Sequence, residues 1–254
     1  MSGTLFLIPN TLDFGVASDA PPAGLQEVLP LGVIRVAAGL THWVAENAKT
    51  TRAFLKRVDA VAPLAQPLQT IQIVELPRPQ KGAKVSSPVT LDALLAPALQ
   101  GHDMGLISEA GMPAVADPGA AIVDAAHRLD VKVVALPGPN SLMLALAASG
   151  LNGQSFAFVG YLPVDTAERS ARIRELEALS RRLNQTQLVI ETPYRNEAVL
   201  GALLAGLHAT TRLSVSCGLT LAQGWTRTDT VARWKLAPAA LPKDVPAVFS
   251  LLAQ

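Results

Sequence analysis

The chain has 254 residues, of which 50% are hydrophobic, 16% charged and only 4% aromatic, and its formal net charge at pH 7 is +1. This near-neutral balance argues against a surface wholly devoted to nucleic acid, which is usually strongly basic, but leaves room for a local basic patch. The single cysteine, Cys217, excludes a disulfide within the chain and argues strongly against a cluster of thiolate ligands. The four histidines are far apart in sequence, so no metal site is expected.

Strands alternate with helices in the N-terminal half, which predicts a parallel sheet with helices on both faces. A core built mostly from Ala, Leu and Val suits such buried strands. The predicted strands are residues 4–8, 33–38 together with 43–45, 71–76, 104–108 and 131–136, and the predicted helices are residues 47–58 and 90–99.

The pattern changes after Asn140, where a helix of small residues ends at Gly150, the expected left-handed C-cap. The last predicted strands follow one another with little helix between them, so antiparallel pairing is expected. We therefore predict two domains, residues 1–137 and residues 138–254. In the second domain the predicted helices are residues 141–149, 166–182 and 196–207, and the predicted strands are residues 156–161, 187–191, 213–219, 225–234 and 245–252.

Residues 105–119 are the most informative part of the sequence, because a short apolar strand runs into a loop rich in glycine and proline before a helical pattern begins. Open parallel sheets bind ligands just beyond the carboxyl ends of their strands. Gly111 would let the main chain approach a ligand closely, and the prolines would stiffen the loop. Asp117 has two possible roles, ligand binding or the N-cap of the next helix, and the sequence does not decide between them.

A second transition from strand to loop follows about 25 residues later, the spacing expected of one crossover unit. Residues 137–141 read as a tight turn into a helix, where Ser141 is the expected N-cap and the free N–H groups suit a polar ligand. A hinge between domains is the alternative. The first strand is followed by neither G-x-G-x-x-G nor a P-loop, which argues against dinucleotide and nucleoside triphosphate ligands.

Basic side chains cluster on two predicted helices. On residues 47–58 they share one face, which suits a phosphate contact or a solvated surface, and the solvated surface is favoured. On residues 166–182 they are interleaved with glutamates, which indicates an exposed helix with ion pairs. The first cluster consists of Lys49, Arg52, Lys56 and Arg57.

Polar residues also follow the strand that ends near Glu191. Tyr194 and Arg195 lie just beyond it and are candidates for substrate contact. The chain has only two tyrosines, Tyr161 and Tyr194, and both follow strands. A role at the edge of the core is the alternative for each of them.

Short motifs run through most of the sequence. The central ones are Ser-Glu-Ala-Gly-Met-Pro at 108–113 and Ala-Asp-Pro-Gly at 116–119, and the others lie at residues 3–9, 45–47 with 51–52, 136–139, 148–151, 160–163 and 191–195. Taken in order, they resemble the tetrapyrrole methylase superfamily, the class III S-adenosylmethionine-dependent methyltransferases. Within it, they look most like the branch that methylates the 2′-hydroxyl of a cytidine in 16S ribosomal RNA.

The sequence departs from the pattern of that branch in several places. Asn10-Thr-Leu-Asp13 stands where Thr-Pro-Ile-Gly is usual, and Glu109 and Met112 replace Asp and Thr. Asn47 replaces an acid, and residues 218–221, Gly-Leu-Thr-Leu, replace Glu-Leu-Thr-Lys. These departures keep open a paralogue that binds cofactor or RNA without turnover, and a tetrapyrrole acceptor is a further alternative.

The resemblance implies a bilobal α/β fold, with an N-terminal domain built on a five-stranded, mostly parallel sheet and a C-terminal mixed α/β domain, assembled as a homodimer. It also implies S-adenosylmethionine as the cofactor, held in the cleft between the lobes. The residues that the resemblance places against the cofactor are Pro9, Glu109, Ala110, Gly111, Met112, Val115, Asp117, Ser141, Leu142, Tyr161, Leu162, Pro246 and Ala247.

Methyl transfer from a sulfonium mainly requires orientation and exclusion of water, although a hydroxyl nucleophile gains from a base. Glu46 and Glu191 are the expected catalytic carboxylates, and Arg52, Tyr194 and Arg195 are the expected contacts to ribosomal RNA. The sequence has no pattern of a signal peptide and no unbroken apolar run long enough for a membrane helix. A cytoplasmic protein without a membrane partner is therefore expected.

Overall fold

The computed structural model describes residues 2–13, 24–77 and 91–254. Within these ranges, the residues up to Pro139 form one compact unit and those from Asn140 onward form a second. Residue 90, at which a helix is predicted to begin, lies outside the described ranges.

The first unit is built on a five-stranded sheet in which every strand pair is parallel, in the order β3-β2-β4-β1-β5. Its strands are β1 (Thr4–Leu7), β2 (His42–Ala45), β3 (Gln72–Glu75), β4 (Met104–Ile107) and β5 (Lys132–Ala135). Its helices are α1 (Leu25–Val28), α2 (Leu31–Gly39), α3 (Ala48–Asp59), α4 (Leu91–Leu94), α5 (Ala96–Leu99) and α6 (Ala120–Arg128), with a short 3-10 helix at Leu68–Thr70. The expectation of a five-stranded α/β domain is confirmed.

Helices cover both faces of this sheet, because its central strands are apolar on both sides. Side chains alternate across a strand, so Leu5 and Leu7 pack in the core beneath α4, α5 and α6. Ile8 continues on the opposite face, in the core beneath α2 and α3. This arrangement leaves the carboxyl edge of the sheet, where all five strands end, to the connecting loops.

Residues 33–38 were predicted as a strand, and this prediction is wrong because they lie in α2. The buried side chains are Val33, Ile34, Ala37 and Ala38, a spacing that forms one side of a helix. Packing against the sheet therefore overrides the strand preference of the β-branched residues. The second strand is β2 alone.

The second unit contains a mixed sheet in the order β6-β7-β10-β8-β9, in which only β6 and β7 pair in parallel. Its strands are β6 (Phe156–Tyr161), β7 (Thr186–Glu191), β8 (Arg212–Cys217), β9 (Trp225–Thr230) and β10 (Ala247–Leu252). Its helices are α7 (Ser141–Ser149), α8 (Thr166–Leu183), α9 (Asn196–Gly206) and α10 (Val231–Leu236), with a 3-10 helix at Pro193–Arg195. The expected mixed α/β architecture and antiparallel late strands are confirmed.

Two helix boundaries in this unit test the sequence predictions. Gly150 ends α7 in the left-handed conformation, with φ 62°, as expected. The predicted strand 225–234 is wrong in its second half, because Thr230 accepts a hydrogen bond from the Arg233 amide and caps α10. Val231 and Trp234 are then buried one helical turn apart. No helix in the described ranges is both long and apolar enough to span a membrane.

Candidate functional site

Two loops at the carboxyl edge of the first sheet are joined by Asn10. Its main chain forms an antiparallel bridge with Gly111, with N···O distances of 2.9 and 3.1 Å. Its side-chain amide donates to the carbonyl oxygens of Ser108 at 3.2 Å and Glu109 at 2.9 Å. Since Asn10 is only 6% exposed, these bonds are shielded from water. They fix the segment after β1 to residues 108–119, the β4 loop.

The segment after β5 packs against the same place. A Cβ atom at Gly138 would lie 2.3 Å from Cβ and Cγ of Pro9, closer than real Cβ atoms approach. Glycine is therefore required for this contact. Gly111 itself has φ +68°, and its own Cβ position is 3.5 Å from the Pro139 carbonyl oxygen. Loops after β1, β4 and β5 thus form one continuous surface of main chain.

The loop after β2 also contacts the β4 loop, through Glu46. Its carboxylate Oε2 accepts a hydrogen bond of 3.1 Å from the Glu109 amide. Its own amide donates to the Ile107 carbonyl at 3.2 Å. Glu46 is therefore a positioning residue for the β4 loop, whatever chemistry its other carboxylate oxygen performs.

The β4 loop has an unusual backbone. Ala114 and Ala116 have φ values of 66° and 63°, in the left-handed region that favours glycine, and Gly119 has φ 135°. The two alanines cost about 1–3 kcal/mol each in this conformation and persist in it only because the surroundings fix them. The N-cap role that the sequence left open for Asp117 is wrong, because α6 begins at Ala120 and Gly119 is its N-cap.

Asp117 lies half-buried in this loop. Burial raises its pKa from 3.8 to about 7, and the negative charges of Glu46 and Glu109 contribute further in the same direction. At neutral pH the carboxyl group is therefore divided between its two protonation states. No hydrogen bond or ion pair joins the Asp117 side chain to another described residue.

The other residues of the β4 loop that were predicted to bind the cofactor lie beside it. Gly111 is buried, and Ala110 and Met112 are half-buried. Val115 is 41% exposed and donates its amide to the Met112 carbonyl at 3.4 Å. In the first unit, the structure therefore places Pro9 and the predicted members of the β4 loop on adjoining segments.

Arg52 and Arg57 of α3 have different surroundings. Arg52 is exposed, and among the described residues its guanidinium donates only to the Ala48 carbonyl on its own helix, at 3.4 Å. Arg57 forms an ion pair of 3.1 Å with Asp13 and donates to Thr11. The basic face is therefore divided, and Arg57 helps to hold the segment after β1.

In the second unit, α7 begins differently from the prediction. Asn140 has an extended backbone, and its side-chain oxygen accepts from the amides of Leu142 at 3.0 Å and Met143 at 3.1 Å. The prediction that Ser141 is the N-cap is therefore wrong, since Ser141 is the first helical residue. Ser141 is half-buried and Leu142 is buried.

The remaining predicted residues of the second unit surround the ends of β6 and β7 and the start of β10. Tyr161, 56% exposed, pairs in register with Ile190, and Leu162 after it is buried. Ala247 lies opposite Glu191. Pro246 is exposed and accepts a 3.0 Å hydrogen bond from the Gly218 amide. These residues come from separate strands and meet at one edge of the second sheet.

Glu191 holds the turn that follows β7. Its Oε1 accepts from the Thr192 amide at 2.8 Å and hydroxyl at 3.1 Å. Its Oε2 lies 3.2 Å from Arg195, within ion-pair distance, although no N–H points directly at it. The intervening Tyr194 is 71% exposed. The contacts of Glu191 thus hold the turn, and the Tyr194 ring in it is exposed to solvent.

Asn10, Ser108 and Gly138 were not among the individual residues predicted for the site, although Ser108 and Gly138 lie in the two segments where a ligand was expected. Ser108 follows β4, is 4% exposed, and its hydroxyl has no hydrogen-bond partner among the described residues. Polar residues directly after apolar strands were a usable signal for Asn10 and Ser108. The contact of Gly138 with Pro9 had no such signal, because it depends on the pairing of β1 with β5.

The chain is similar to proteins of known classification. Residues 43–234 match the family model described as Tetrapyrrole (Corrin/Porphyrin) Methylases. "Ribosomal RNA small subunit methyltransferase I" of Mesorhizobium japonicum is 36% identical over 138 residues, which are 54% of this chain and 46% of the relative. The protein of the same name from Streptococcus pyogenes serotype M1 is 29% identical over 204 residues, 80% and 61% of the two chains. The chain thus spans less than two thirds of the length of these relatives.

Solved structures agree with the fold. A uroporphyrin-III-C-methyltransferase from Thermus thermophilus has a TM-score of 0.54 at 19% identity, with 99% of this chain and 93% of that one covered. A putative cobalamin synthesis related protein from Corynebacterium diphtheriae has a TM-score of 0.58 at 17% identity, with 99% of each chain covered. At such low identity the likeness concerns the fold alone. Since the family model covers most of the sequence, the chain belongs to the tetrapyrrole (corrin/porphyrin) methylase family.

Proposed function

We propose that the chain is an S-adenosylmethionine-dependent methyltransferase whose acceptor is a ribose 2′-hydroxyl of ribosomal RNA. Membership of the methylase family supports the reaction class. The names of the curated relatives support the acceptor. The structural observation that carries the proposal is the bridge between Asn10 and Gly111, which joins two loops at the edge where parallel sheets bind ligands.

The residues at this edge fit the proposed cofactor. Its sulfonium and ammonium groups are cationic, and the carboxylates of Glu46, Glu109 and Asp117 gather beside the β4 loop. The Ser108 hydroxyl, which has no hydrogen-bond partner within residues 2–13, 24–77 and 91–254, offers a polar atom to a ligand. Gly111, with its positive φ, lets the main chain approach closely. When bound, the cofactor would supply a methyl group already activated on sulfur.

The chain's own residues then have to orient the acceptor and exclude water. We propose that Pro9, Ala110, Met112, Val115, Ser141, Leu142, Tyr161, Leu162, Pro246 and Ala247 complete the cofactor site. Arg52 and Arg195 are proposed to meet phosphates and Tyr194 to stack on a base. The catalytic assignment of Glu46 and Glu191 stays a prediction. A homodimer working in the cytoplasm on ribosomal subunits is part of the same proposal.

Calorimetry with S-adenosylmethionine and its demethylated product tests the first half of the proposal, and micromolar or tighter binding is expected. Transfer of labelled methyl groups to small ribosomal subunits that lack the modification tests the second half. Label confined to one ribose supports the proposed acceptor. Binding without transfer would indicate a non-catalytic paralogue, and label found only on a corrin or porphyrin would indicate the tetrapyrrole acceptor.

A further inference from the structure

Transfer of a methyl group to a hydroxyl gains from a base that takes the acceptor's proton, and Glu46 and Glu191 are the two carboxylates predicted for this role. Glu46 uses Oε2 to hold the Glu109 amide. Glu191 uses Oε1 to hold the amide and hydroxyl of Thr192, and its Oε2 faces Arg195. Both residues are therefore engaged in holding turns.

The Asp117 carboxyl group neither holds a main-chain amide nor faces an arginine among the described residues. It has no hydrogen bond or ion pair with another described residue, and the charged groups that act on it, Glu46 and Glu109, are both acidic. The left-handed Ala114 and Ala116 hold the chain so that Asp117 stays in the loop and not at the cap of α6. Unlike Glu46 and Glu191, Asp117 therefore holds no turn of the described chain through its carboxyl group.

Ser108 gives independent evidence that a ligand group belongs on the inner side of the loop that carries Asp117. Alternation along the strand places the Ser108 side chain on the same face as Leu106. The loop packs on that face, since a Cβ atom at Gly119 would lie 3.2 Å from Leu106 Cδ2. The Ser108 hydroxyl is thus buried on the inner side of the β4 loop, without a hydrogen-bond partner in the part of the chain that the structure describes. A buried hydroxyl without a partner costs free energy that a bound polar group would recover.

We infer that Asp117 is the residue of this site that accepts the hydroxyl proton of the methyl acceptor, an inference that rests on the proposed function. As Asp117 takes the proton, the acceptor oxygen keeps the O–H electron pair and bonds to the methyl carbon. The electron pair of the broken carbon–sulfur bond stays on sulfur, so the sulfonium becomes a thioether. Asp117 then releases its proton to water.

The electrostatic surroundings suit this role. A base works best when its pKa lies near the working pH, and burial together with Glu46 and Glu109 raises the pKa of Asp117 to about 7. Asn10 contributes indirectly, because its amide holds the Ser108 and Glu109 carbonyls and so keeps Glu109 near Asp117. Asn10 is therefore a positioning residue.

The first experiment needs no cofactor and no activity. The protein is labelled with ¹³C at its aspartate carboxyl groups, and the Asp117 signal is identified as the one absent from the spectrum of Asp117→Asn. The chemical shift of this signal in the wild type is then followed against pH. Its midpoint is expected near 7, and Glu46→Gln and Glu109→Gln should each move it lower by removing a negative charge. A midpoint at the ordinary value of an aspartate overturns the inference.

The second experiment compares Asp117→Asn with Asp124→Asn, a matched change at an exposed residue of α6. Asp117→Asn is expected to lower kcat by about 10²–10⁴-fold and to abolish the rise of kcat with pH through neutrality, while Asp124→Asn behaves as wild type. Binding of the demethylated cofactor should weaken by a much smaller factor than the fall in kcat, since Asp117 is one of three carboxylates beside the β4 loop. Asp117→Glu, which keeps the carboxylate, should retain more activity than Asp117→Asn.

Each other result has a distinct meaning. Unchanged kcat in Asp117→Asn, or a loss matched by equally weakened cofactor binding, overturns the inference and leaves the proposed function intact. Wild-type protein that binds the cofactor but transfers no methyl group overturns both the inference and the catalytic half of the proposed function. Wild-type protein that does not bind the cofactor removes the proposed function, and the inference falls with it.

Discussion

Pro9 and Gly138 are in direct contact at the carboxyl edge of the first sheet, and a Cβ atom at residue 138 would lie 2.3 Å from the Pro9 ring. The contact brings the segment after β1 against the segment after β5, and these strands pair along their whole length, from Thr4 opposite Lys132 to Leu7 opposite Ala135. The shape of the candidate site thus depends on the absence of a single side chain.

Gly138→Ala is expected to lower the free energy of unfolding by about 1–3 kcal/mol, because the methyl group overpacks against Pro9. Cofactor binding should weaken at the same time, since Pro9 must move. Gly32→Ala is the matched control in the same unit, because a Cβ atom there meets nothing within 4 Å. Urea unfolding and calorimetry measure both effects. Equal stability of the two variants would contradict the proposed contact.

Asn10→Asp tests the bridge to the β4 loop. The substitution keeps the shape but replaces the donating amide by a carboxylate, which faces the carbonyls of Ser108 and Glu109. We expect a loss of about 1–3 kcal/mol in stability, seen in denaturant unfolding, and faster amide hydrogen exchange in the β4 loop. Asn10→Ala should lose the same hydrogen bonds without adding charge. An Asn10→Asp protein as stable as wild type would argue against this bridge.

Asp117 also predicts a dependence of stability on pH. Its pKa is about 7 in the folded state against an ordinary 3.8, so between these values the folded protein holds more protons than the unfolded chain. Its contribution to stability is therefore present at low pH and is lost as the pH rises through 7. Asp117→Asn should be more stable than wild type, by a free energy that grows up to pH 7 and stays constant above it at about 1 kcal/mol after solvent screening. Tm measured for both proteins across this pH range follows the difference. A difference in stability between Asp117→Asn and wild type that does not change with pH would refute the raised pKa of Asp117.

His42, at the amino edge of the first sheet, predicts the opposite dependence of stability on pH. The rings of His42 and His102 stack with centroids 5.0 Å apart, and burial together with His102 lowers the pKa of His42. The unfolded chain therefore binds more protons near pH 6, and stability falls as the pH falls through the ordinary histidine range. His102→Gln should reduce this loss of Tm, while His127→Gln, on the exposed side of α6, should leave it unchanged. An equal loss in both variants would contradict the pairing.

The sequence predicted most of the fold because its strands and helices carry local signals. Apolar runs located β1, β4 and β5, and Asn47 with the apolar spacing after it located α3. The error at residues 33–38 came from β-branched residues whose helical spacing was not weighed against their strand preference. The cap of α10 was missed for a similar reason, since Thr230 ends a strand and starts a helix without any break in the pattern.

The candidate site was only partly predictable, because its decisive contacts join distant parts of the chain. Asn10 and Ser108 are 98 positions apart, and the surroundings of Asp117 include Glu46 from the loop after β2. Only the folded sheet brings these groups together. The contact of Glu191 with Arg195 is different, because a separation of four residues in one turn is visible in the sequence.

Tyr194 provides the test of RNA contact. Glu191 and Arg195 hold the turn on either side of it, and 71% of the residue is exposed. A rigid, exposed ring can stack on an unpaired base at little entropic cost, which is worth about 1–3 kcal/mol per base. Tyr194→Ala should therefore weaken binding of a single-stranded RNA, measured by fluorescence anisotropy, by an amount in that range. Tyr194→Phe keeps the ring and should bind as wild type, as should Leu236→Ala at another exposed apolar residue. Equal affinity of Tyr194→Ala and wild type would exclude stacking at this turn, whereas equal weakening in Tyr194→Phe and Tyr194→Ala would show that the hydroxyl, and not the ring, makes the contact.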